Sequence, residues 1–184
     1  MCGYLIMDKV QLRKDLLKQR DGLSEELRLF ISTKVTEHLR TYIEASKVNK
    51  IGSYSPIQGE IDIEEIENRM PRVRFYFPKV VDPYSKLLGW GVRPLKPGFK
   101  NINEPTEASV NQDLDMLLAP CIGFNDDGYR LGYGGGFYDR YLNSLQVKPH
   151  IVGISYALSR VRFSPEVHDH KLDAVITESG ITFF

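Results

Sequence analysis

Two short, continuous apolar runs place the strongest limit on how this chain can fold. They are MLLAP at residues 116–120 and HIVGISYA at residues 150–157. A strand that is apolar at every position has to be covered on both faces, which is typical of parallel sheets flanked by helices. The helix-like stretch FYDRYLNSL lies between the two runs, and helices alternate with short apolar strands elsewhere. This alternation predicts an α/β fold with a largely parallel sheet and right-handed connections.

Helical periodicity predicts two helices near the N-terminus. Apolar side chains recur at helical spacing over residues 8–20, and Asp21-Gly22 ends the pattern. Ser24 is a good N-cap for a second helix, whose apolar positions continue to about Ala45. The first helix is predicted to be amphipathic, with basic residues around its apolar positions.

The middle of the chain predicts shorter elements. Asp62 is followed three residues later by Glu65, which is the spacing of a capping box for a short helix to about Met70. The segment VRFYFP predicts a strand, because it is β-branched and aromatic and is bounded by prolines. Residues 82–112 are rich in Pro, Gly and Asn and predict a strand near Leu87–Val92 and then a long irregular loop. Further strands are predicted in IGSYS, DAVITE and ITFF.

Length and composition are those of one globular domain. The 184 residues carry zero formal net charge, with 42% apolar and 26% charged residues, close to the average of soluble globular proteins. A single domain over residues 1–184 is therefore the economical prediction. The start MCGYLIM is too short for a signal peptide and lacks its basic region. We interpret residues 1–6 as a disordered leader before an alternative start at Met7.

Charge and cysteine content exclude several functional classes. Acidic residues are interspersed among the basic ones, so the chain shows no basic tail that would favour nucleic acid. No stretch approaches the ~18 apolar residues of a membrane span. Cys2 and Cys121 are the only cysteines and form neither a disulfide framework nor a zinc site. This cysteine content predicts a reducing, cytoplasmic location.

The stretch RLGYGGGFYDRYL at residues 130–142 is the most distinctive motif, with four glycines within five positions. Glycines let backbone N–H groups approach a ligand, and a helix start adds unpaired donors and partial positive charge, which together suit phosphate. The spacing G-x-G-G-G matches neither the dinucleotide-binding pattern nor the P-loop. A glycine-rich lid or a plain turn is therefore an equal alternative. Arg130 and Arg140 favour the phosphate interpretation, since planar guanidinium groups can clamp a polyphosphate.

Asp139 and the later segment HDHKLD hold the candidate metal ligands. Asp139 falls in the first turn of the predicted helix, where it would serve the helix dipole, pair with a neighbouring arginine or bind Mg²⁺. Magnesium bound with phosphates needs one or two protein carboxylates, and Asp173 is the candidate for the second. His168 and His170 would point to opposite sides of a strand, so we do not expect a shared zinc site.

Four segments together resemble one enzyme family. They are KVQLR, GEIDIEEI, PCIGFNDDGYRLGYGGGFYDRYL and EVHDHKLDAVITE, in that order along nearly the whole chain. This set resembles the 5-formyltetrahydrofolate cyclo-ligases, also called 5,10-methenyltetrahydrofolate synthetases. The resemblance implies a Rossmann-like three-layer fold, related to sugar-phosphate isomerases and CoA transferases. It also implies conversion of 5-formyltetrahydrofolate to 5,10-methenyltetrahydrofolate with ATP and Mg²⁺, with small-molecule partners only, by a cytoplasmic monomer or weak dimer.

The same resemblance implies roles for particular residues. Lys9, Arg13 and Arg130 would act on the phosphates during catalysis, and Asp139 and Asp173 would bind Mg²⁺. The implied ATP-binding residues are Lys9, Val10, Gln11, Leu12, Arg13, Arg130, Leu131, Gly132, Tyr133, Gly134, Gly135, Gly136, Phe137 and Tyr138. The implied folate-binding residues are Ser55, Glu60, Tyr133, Gly134, Gly135, Gly136 and Phe137.

Four positions depart from the family pattern, and at one of them Cys121 follows Pro120 where members commonly have glycine. Phe137 stands where members usually have tyrosine, so a hydroxyl that would orient folate is missing. Tyr133 and Gly135 stand where some members carry basic residues. We therefore expect Lys9, Arg13 and Mg²⁺ to meet more of the phosphate charge.

Other functions stay open at this level. One is a folate- or nucleotide-binding regulator without turnover, and another is an enzyme of related fold that acts on a sugar phosphate or a CoA ester. The expected folate and metal carboxylates are all present, which argues against loss of activity, and the KVQLR helix argues against the wider superfamily. The aromatic residues Tyr54, Phe99 and Phe124 would pack either on the flat folate ring or in the core.

Overall fold

The computed structural model describes residues 8–184. The predicted leader at residues 1–6 and the alternative start at Met7 lie outside this range. The helices of the described part are α1 (Lys9–Asp21), α2 (Glu25–Ser46), α3 (Ile66–Arg69) and α4 (Phe137–Ser144). The strands are β1 (Lys50–Gly52), β2 (Arg74–Asp82), β3 (Leu87–Gly91), β4 (Leu95–Pro97), β5 (Asn103–Pro105), β6 (Met116–Pro120), β7 (Gly123–Phe124), β8 (Arg130–Leu131), β9 (His150–Ile154), β10 (Ala174–Thr177) and β11 (Gly180–Phe183).

Seven of these strands form one sheet, in the order β11-β10-β9-β6-β1-β2-β3. The five inner strands, from β10 to β2, are parallel to one another. The two outer strands, β11 and β3, are antiparallel to their neighbours. The prediction of an α/β fold with a mostly parallel sheet is therefore confirmed. Both apolar runs contribute to its centre as the adjacent strands β6 and β9.

Helices cover both faces of the sheet, because successive residues of a strand point to opposite sides. In β6, Met116 and Leu118 face a core that contains α2 residues such as Leu39. Leu117 and Ala119 face the other core, to which α4 contributes. The continuous apolar character of MLLAP is thus explained by burial on both faces.

Both N-terminal helices form as predicted. Asp8 caps α1 by accepting a hydrogen bond from the Val10 N–H at 3.3 Å, and Ser24 caps α2 by accepting from the Leu27 N–H at 3.2 Å. Within residues 8–184, no helix has the combination of length and apolar character that a membrane span requires.

The capping box predicted at Asp62 and Glu65 is wrong. Asp62 Oδ1 accepts instead from the Glu64 N–H at 2.9 Å, which closes a turn ahead of the helix. Helix α3 begins at Ile66, and the Glu65 side chain makes no capping hydrogen bond. A short acidic side chain bonds its own nearby backbone in competition with helix capping, and here the local turn is favoured.

Strand β2 is longer than predicted, because it continues through Pro78 to Asp82. Proline usually ends a strand, since it has no N–H to donate. Here Pro78 lies opposite Trp90, whose N–H and C=O both bond to Ser109 on the far side. The neighbouring strand β1 has already ended opposite Tyr76. The missing N–H therefore costs the sheet no ladder bond at this position.

The long loop predicted over residues 82–112 contains a hairpin. Beyond β3, the strands β4 and β5 pair in antiparallel fashion. Glu104 of β5 is 8% exposed, and its carboxylate accepts from the Val80 N–H at 3.1 Å, which ties the hairpin to β2. Each of its strands has only three residues and includes a proline, so the local sequence carries little strand signal.

Candidate active site

The glycine run leaves the sheet at the edge formed by the carboxyl ends of its parallel strands. After β6, the small β7–β8 hairpin leads to residues 132–136, and α4 begins at Phe137. Gly134 (φ 83°) and Gly136 (φ 71°) adopt the left-handed conformation that favours glycine. Gly136 is the N-cap of α4, so the run ends beside the unpaired N–H groups of a helix start.

Helix α1 packs against this run and so brings two distant motifs together. Leu12 and Leu16 anchor α1 in an apolar cluster with Leu131 of β8. Arg13 Nε donates to the Gly132 carbonyl at 2.7 Å. The Arg13 guanidinium carbon also lies 3.6 Å from where a Cβ would stand on Gly134. The two segments predicted to share the nucleotide are thus in direct contact.

Lys9 forms ion pairs with one carboxylate inside the HDHKLD segment and one just before it. Its ammonium bonds to Asp169 Oδ2 at 2.7 Å and to Glu166 Oε1 at 3.0 Å. Partial burial alone would lower the pKa of Lys9, but the two carboxylates outweigh it and raise that pKa above its usual value. Lys9 is therefore a firmly charged group whose present partners are carboxylates.

Arg130 and Asp139 form an ion pair across the loop. Arg130 Nη2 donates to Asp139 Oδ1 at 2.5 Å, and Arg130 Nη1 donates to the His170 carbonyl at 3.4 Å. The Arg130 side chain is 7% exposed, so solvent screens this pair weakly. Pairing with a neighbouring arginine, one of the alternatives for Asp139, is thus observed. From the residues that the structure describes, the second carboxylate oxygen of Asp139 receives no hydrogen bond.

Asp173 lies at the opposite ends of the parallel strands from the glycine run, directly before the first residue of β10. Its Oδ2 accepts from the Ile151 N–H at 2.7 Å and lies 3.3 Å from His150 Nδ1. Asp139 and Asp173 therefore have different partners. Within residues 8–184, no group of three or more His, Cys, Asp or Glu is arranged to hold a metal ion. The joint role of the two aspartates as metal ligands stays a prediction.

Glu60 is a half-buried carboxyl group beside the glycine run. Its Oε2 accepts from the Ile57 N–H at 3.0 Å. Burial raises the pKa of Glu60 to about 7, although the Ile57 N–H, the Arg20 guanidinium and the Tyr133 hydroxyl all favour its ionised form. Tyr133 belongs to the glycine run, so the predicted folate contact lies against the predicted ATP loop. A carboxyl group close to half-ionisation at neutral pH is typical of a functional site.

Arg20, in the last turn of α1, belongs to the same site and was not predicted. It is 2% exposed, and its two terminal nitrogens donate to the Tyr133 hydroxyl at 3.3 Å and to the Cys121 carbonyl at 3.0 Å. The sequence did contain a signal. Arg20 follows the buried Leu12 and Leu16 at four-residue spacing, which places it on the buried stripe of the helix.

The aromatic residues considered for folate divide into two groups. Tyr54 and Phe124 are each 3% exposed, and the Tyr54 hydroxyl donates to the Ile61 carbonyl at 2.6 Å, so both belong to the core. Phe99 is half-buried, and its ring centre lies 6.0 Å from that of Phe137. The Phe99–Phe137 pair thus offers an apolar surface at the end of the glycine run.

The remaining predicted site residues either pack in the interior or lie at the surface around the site. Leu12 and Leu131 are buried between α1 and the β7–β8 hairpin. Ser55 is 8% exposed, and its hydroxyl donates to Glu64 Oε1 at 3.4 Å. Val10, Gln11 and Tyr133 are exposed, whereas Gly135, Gly136 and Tyr138 are half-buried.

Comparison with known proteins shows consistent relatives. The sequence profile of the 5-formyltetrahydrofolate cyclo-ligase family matches residues 6–178. A 5-formyltetrahydrofolate cyclo-ligase from Mycoplasma pneumoniae is 28% identical over 176 residues, which cover 94% of this chain and 99% of the relative. The protein of the same name from Haemophilus influenzae is 32% identical, over 86% of this chain and 90% of its own.

Solved structures share the fold. The NMR structure of the Aquifex aeolicus 5,10-methenyltetrahydrofolate synthetase is similar with a TM-score of 0.83 and 33% identity, covering 96% of this chain and 93% of that one. The 5,10-methenyltetrahydrofolate synthetase from Mycoplasma pneumoniae gives a TM-score of 0.78 at 28% identity, over 94% and 99% of the two chains. With the family profile, the relatives and the fold in agreement, this chain belongs to the 5-formyltetrahydrofolate cyclo-ligase family.

Proposed function

We propose that this chain converts 5-formyltetrahydrofolate to 5,10-methenyltetrahydrofolate, using ATP and Mg²⁺ and releasing ADP and phosphate. One observation carries this proposal. Helix α1, the glycine run and the turn at Glu60 lie together, and their cationic and acidic groups are neighbours there. Family membership supports the same reaction. The chain is thus an ATP-dependent ligase that acts on small molecules.

The reaction needs the formyl oxygen to become a leaving group. Transfer of the γ-phosphoryl group of ATP to that oxygen breaks the bond to ADP and forms an imidoyl phosphate. The folate N10 nitrogen then attacks the same carbon and loses its proton, and the carbon–oxygen bond breaks as phosphate departs. Phosphoryl transfer asks the protein mainly for positioning and charge neutralisation, so the reaction requires no side-chain nucleophile.

The phosphate side of the site is built by α1 and the glycine run. Arg13 is held on the Gly132 carbonyl through Nε, which leaves its terminal nitrogens for phosphate oxygens. The start of α4 adds unpaired N–H groups and the positive end of the helix dipole. To bind a phosphate, the Lys9 ammonium has to give up its ion pairs with Asp169 and Glu166.

The folate side is built around Glu60. The ionised carboxylate would accept hydrogen bonds from the N–H edge of the pterin, while Arg20 and Tyr133 hold the carboxyl group in place. The rings of Phe99 and Phe137 would pack on the flat part of the ligand. Phe137 lacks the hydroxyl common in the family, and Tyr133 supplies a hydroxyl on the Glu60 side of the run.

Asp139 fits a Mg²⁺ ligand better than Asp173 does. Both side chains offer the carboxylate oxygens that Mg²⁺ prefers, and Mg²⁺ needs only one or two of them when phosphates and waters complete its shell. Asp139 follows the glycine run directly and pairs through one oxygen with Arg130, whereas Asp173 bonds at the other edge of the sheet. A Mg²⁺ ion held there would offset negative charge on the phosphates. For Asp173 the support is the family resemblance alone.

The cytoplasmic location and the monomeric or weakly dimeric state are part of the same proposal. The chain has two cysteines, and burial raises the pKa of the Cys121 thiol to about 12. A thiol that stays protonated reacts slowly in disulfide exchange. This supports a role for Cys121 in packing rather than in a disulfide.

Formation of the methenyl chromophore tests the proposed function directly. We expect the purified chain to produce the absorbance of 5,10-methenyltetrahydrofolate from 5-formyltetrahydrofolate, with one ADP released per product, when ATP and Mg²⁺ are present. Omission of either ATP or Mg²⁺ should abolish the signal. Absence of both product and ADP at high enzyme concentration would overturn the proposal.

Asp139→Asn should lower Mg²⁺-dependent turnover by at least tenfold and raise the Mg²⁺ concentration needed for half-maximal rate, because an amide is a weaker ligand than a carboxylate. Titration of Mg²⁺ in the chromophore assay measures both. Asp126→Asn is the matched control, since Asp126 also pairs with an arginine, Arg160, at 2.6 Å but on an exposed turn. An unchanged Mg²⁺ titration in Asp139→Asn would show that the metal assignment is wrong.

A further inference from the structure

The turn between β2 and β3 brings a lysine to the glycine run. The Lys86 ammonium lies 3.6 Å from where a Cβ would stand on Gly136, the N-cap of α4. Residues 130–142 contain no lysine, and nothing in the sequence around Lys86 indicates a phosphate site. The hairpin thus adds a cation from a different part of the fold.

The position of Lys86 is set from both sides of the turn. On one side, the Asp82 carboxylate accepts from the Tyr84 N–H at 2.9 Å and from the Ser85 hydroxyl at 2.6 Å, which closes the turn. On the other side, β3 is anchored on α4, because the Trp90 ring centre lies 5.2 Å from that of Tyr141. Lys86 is therefore held near the start of α4 by the hairpin itself.

Three features of Lys86 are unfavourable in the protein alone. Its φ of 58° is a left-handed conformation that glycine adopts more readily. Its side chain is half-buried, whereas Pro83, Tyr84 and Ser85 before it are exposed. Among residues 8–184, no Asp or Glu lies within ion-pair distance of its ammonium, which instead approaches the positive end of a helix dipole. An anion between Lys86 and the helix start would relieve the charge repulsion.

We propose that Lys86 is a phosphate-binding residue of the nucleotide site and takes the place of a basic side chain within the glycine run. This inference rests on the proposed ATP-dependent function. Lys86 and Arg13 approach the run at different glycines, Gly136 and Gly134, so they would contact different parts of one polyphosphate chain. Lys86 would neutralise phosphate charge from outside the run, because Tyr133 and Gly135 carry no charge there.

Calorimetric titration with a non-hydrolysable ATP analogue and Mg²⁺ tests this inference. Lys86→Met should raise the Kd for the nucleotide about tenfold, as expected for the loss of one close charge contact. The Kd for 5-formyltetrahydrofolate should stay unchanged, and Lys86→Arg should restore most of the nucleotide affinity. Lys86→Gly should lose affinity like Lys86→Met but be at least as stable in urea as the wild type, because glycine relieves the left-handed strain.

Lys47→Gly is the matched control. Lys47 also has a left-handed backbone, with φ 55°, but it caps the end of α2 at the other edge of the sheet. Its replacement removes the same charge and the same strain, and should leave nucleotide affinity unchanged.

If the wild type binds the analogue and Lys86→Met binds it equally well, the inference is overturned while the proposed function stands. If Lys86→Met weakens both ligands equally, the residue is structural and the inference also fails. If the wild type binds no nucleotide, the proposed function itself fails.

Discussion

Replacement of Glu60 with Gln should lower the affinity for 5-formyltetrahydrofolate by about 10- to 100-fold at pH 8. A hydrogen bond to a charged group contributes about 1.5–3 kcal/mol, and about 1.4 kcal/mol corresponds to a tenfold change in Kd. Glu60 offers such an acceptor in a half-buried position next to Tyr133 and Arg20. Gln retains the shape but presents only one carbonyl oxygen and no charge. Equilibrium titration with the folate measures the loss.

The same residue should give folate binding a pH dependence. The pKa of Glu60 is about 7, so the acceptor is largely protonated below pH 6 and largely ionised above pH 8. We expect wild-type affinity to rise through this interval and Glu60→Gln affinity to stay flat. Glu65→Gln is the control, because Glu65 is exposed and, among residues 8–184, forms an ion pair only with Arg69 on the surface. An equal rise in Glu60→Gln would assign the pH dependence to another group.

Stability in the absence of folate should change in the opposite direction. The unfolded chain releases the Glu60 proton near pH 4.5, whereas the folded protein retains it up to about pH 7. The folded state therefore binds more protons between these values, and the free energy of unfolding contributed by Glu60 falls as pH rises through them. Urea unfolding at pH 5 and pH 8 should show a smaller decrease for Glu60→Gln than for the wild type.

Replacement of Arg20 with Met should destabilise the fold by about 3 kcal/mol. Loss of a hydrogen bond from a charged donor typically costs about 1.5–3 kcal/mol, and Arg20 makes two such bonds from a buried position. Here the Cys121 carbonyl and the Tyr133 hydroxyl would each lose a donor, while Met retains much of the apolar volume. Urea unfolding measures the change. The control is Lys18→Met, an exposed change in the same helix, which should stay within about 0.5 kcal/mol of the wild type.

Arg20→Met should also move the pH dependence of folate binding. The Arg20 guanidinium lowers the pKa of Glu60 against the effect of burial. Its loss should therefore shift the midpoint of the folate affinity profile above the wild-type value. Arg20→Lys should restore part of both properties, since it keeps the charge but not the two-pronged geometry. A stable Arg20→Met protein with an unshifted midpoint would contradict the role we assign to Arg20.

Much of the sheet was predictable from local sequence. The run at residues 116–120 is apolar at every position and is buried on both faces. Such burial is typical of a central strand in a parallel sheet. The caps at Asp8 and Ser24 and the left-handed glycines before α4 are also local features, which act over a few residues. The family prediction is confirmed for the same reason, because its motifs are short and lie in continuous segments.

Elements that depend on distant partners were predicted less well. Strand β2 passes through Pro78 only because Ser109 takes the backbone bonds of Trp90. The β4–β5 hairpin gains its position from Glu104, which bonds to Val80 in another strand. Short strands gain most of their stability from such neighbours rather than from intrinsic preference. Their own residues therefore contain little information about them.

The sequence alone determined the family, the alternation of helices and parallel strands, and the glycine run that opens α4. These follow from side-chain periodicity and from residues that act on their own backbone. Tertiary structure alone decided which partner each cationic side chain meets: Lys9 two carboxylates, Arg130 the Asp139 carboxylate, Arg20 the Tyr133 hydroxyl, and Lys86 the start of α4. Electrostatic partners are chosen by distance in space and by burial. Both quantities arise only when segments more than a hundred residues apart, such as α1 and the glycine run, pack together.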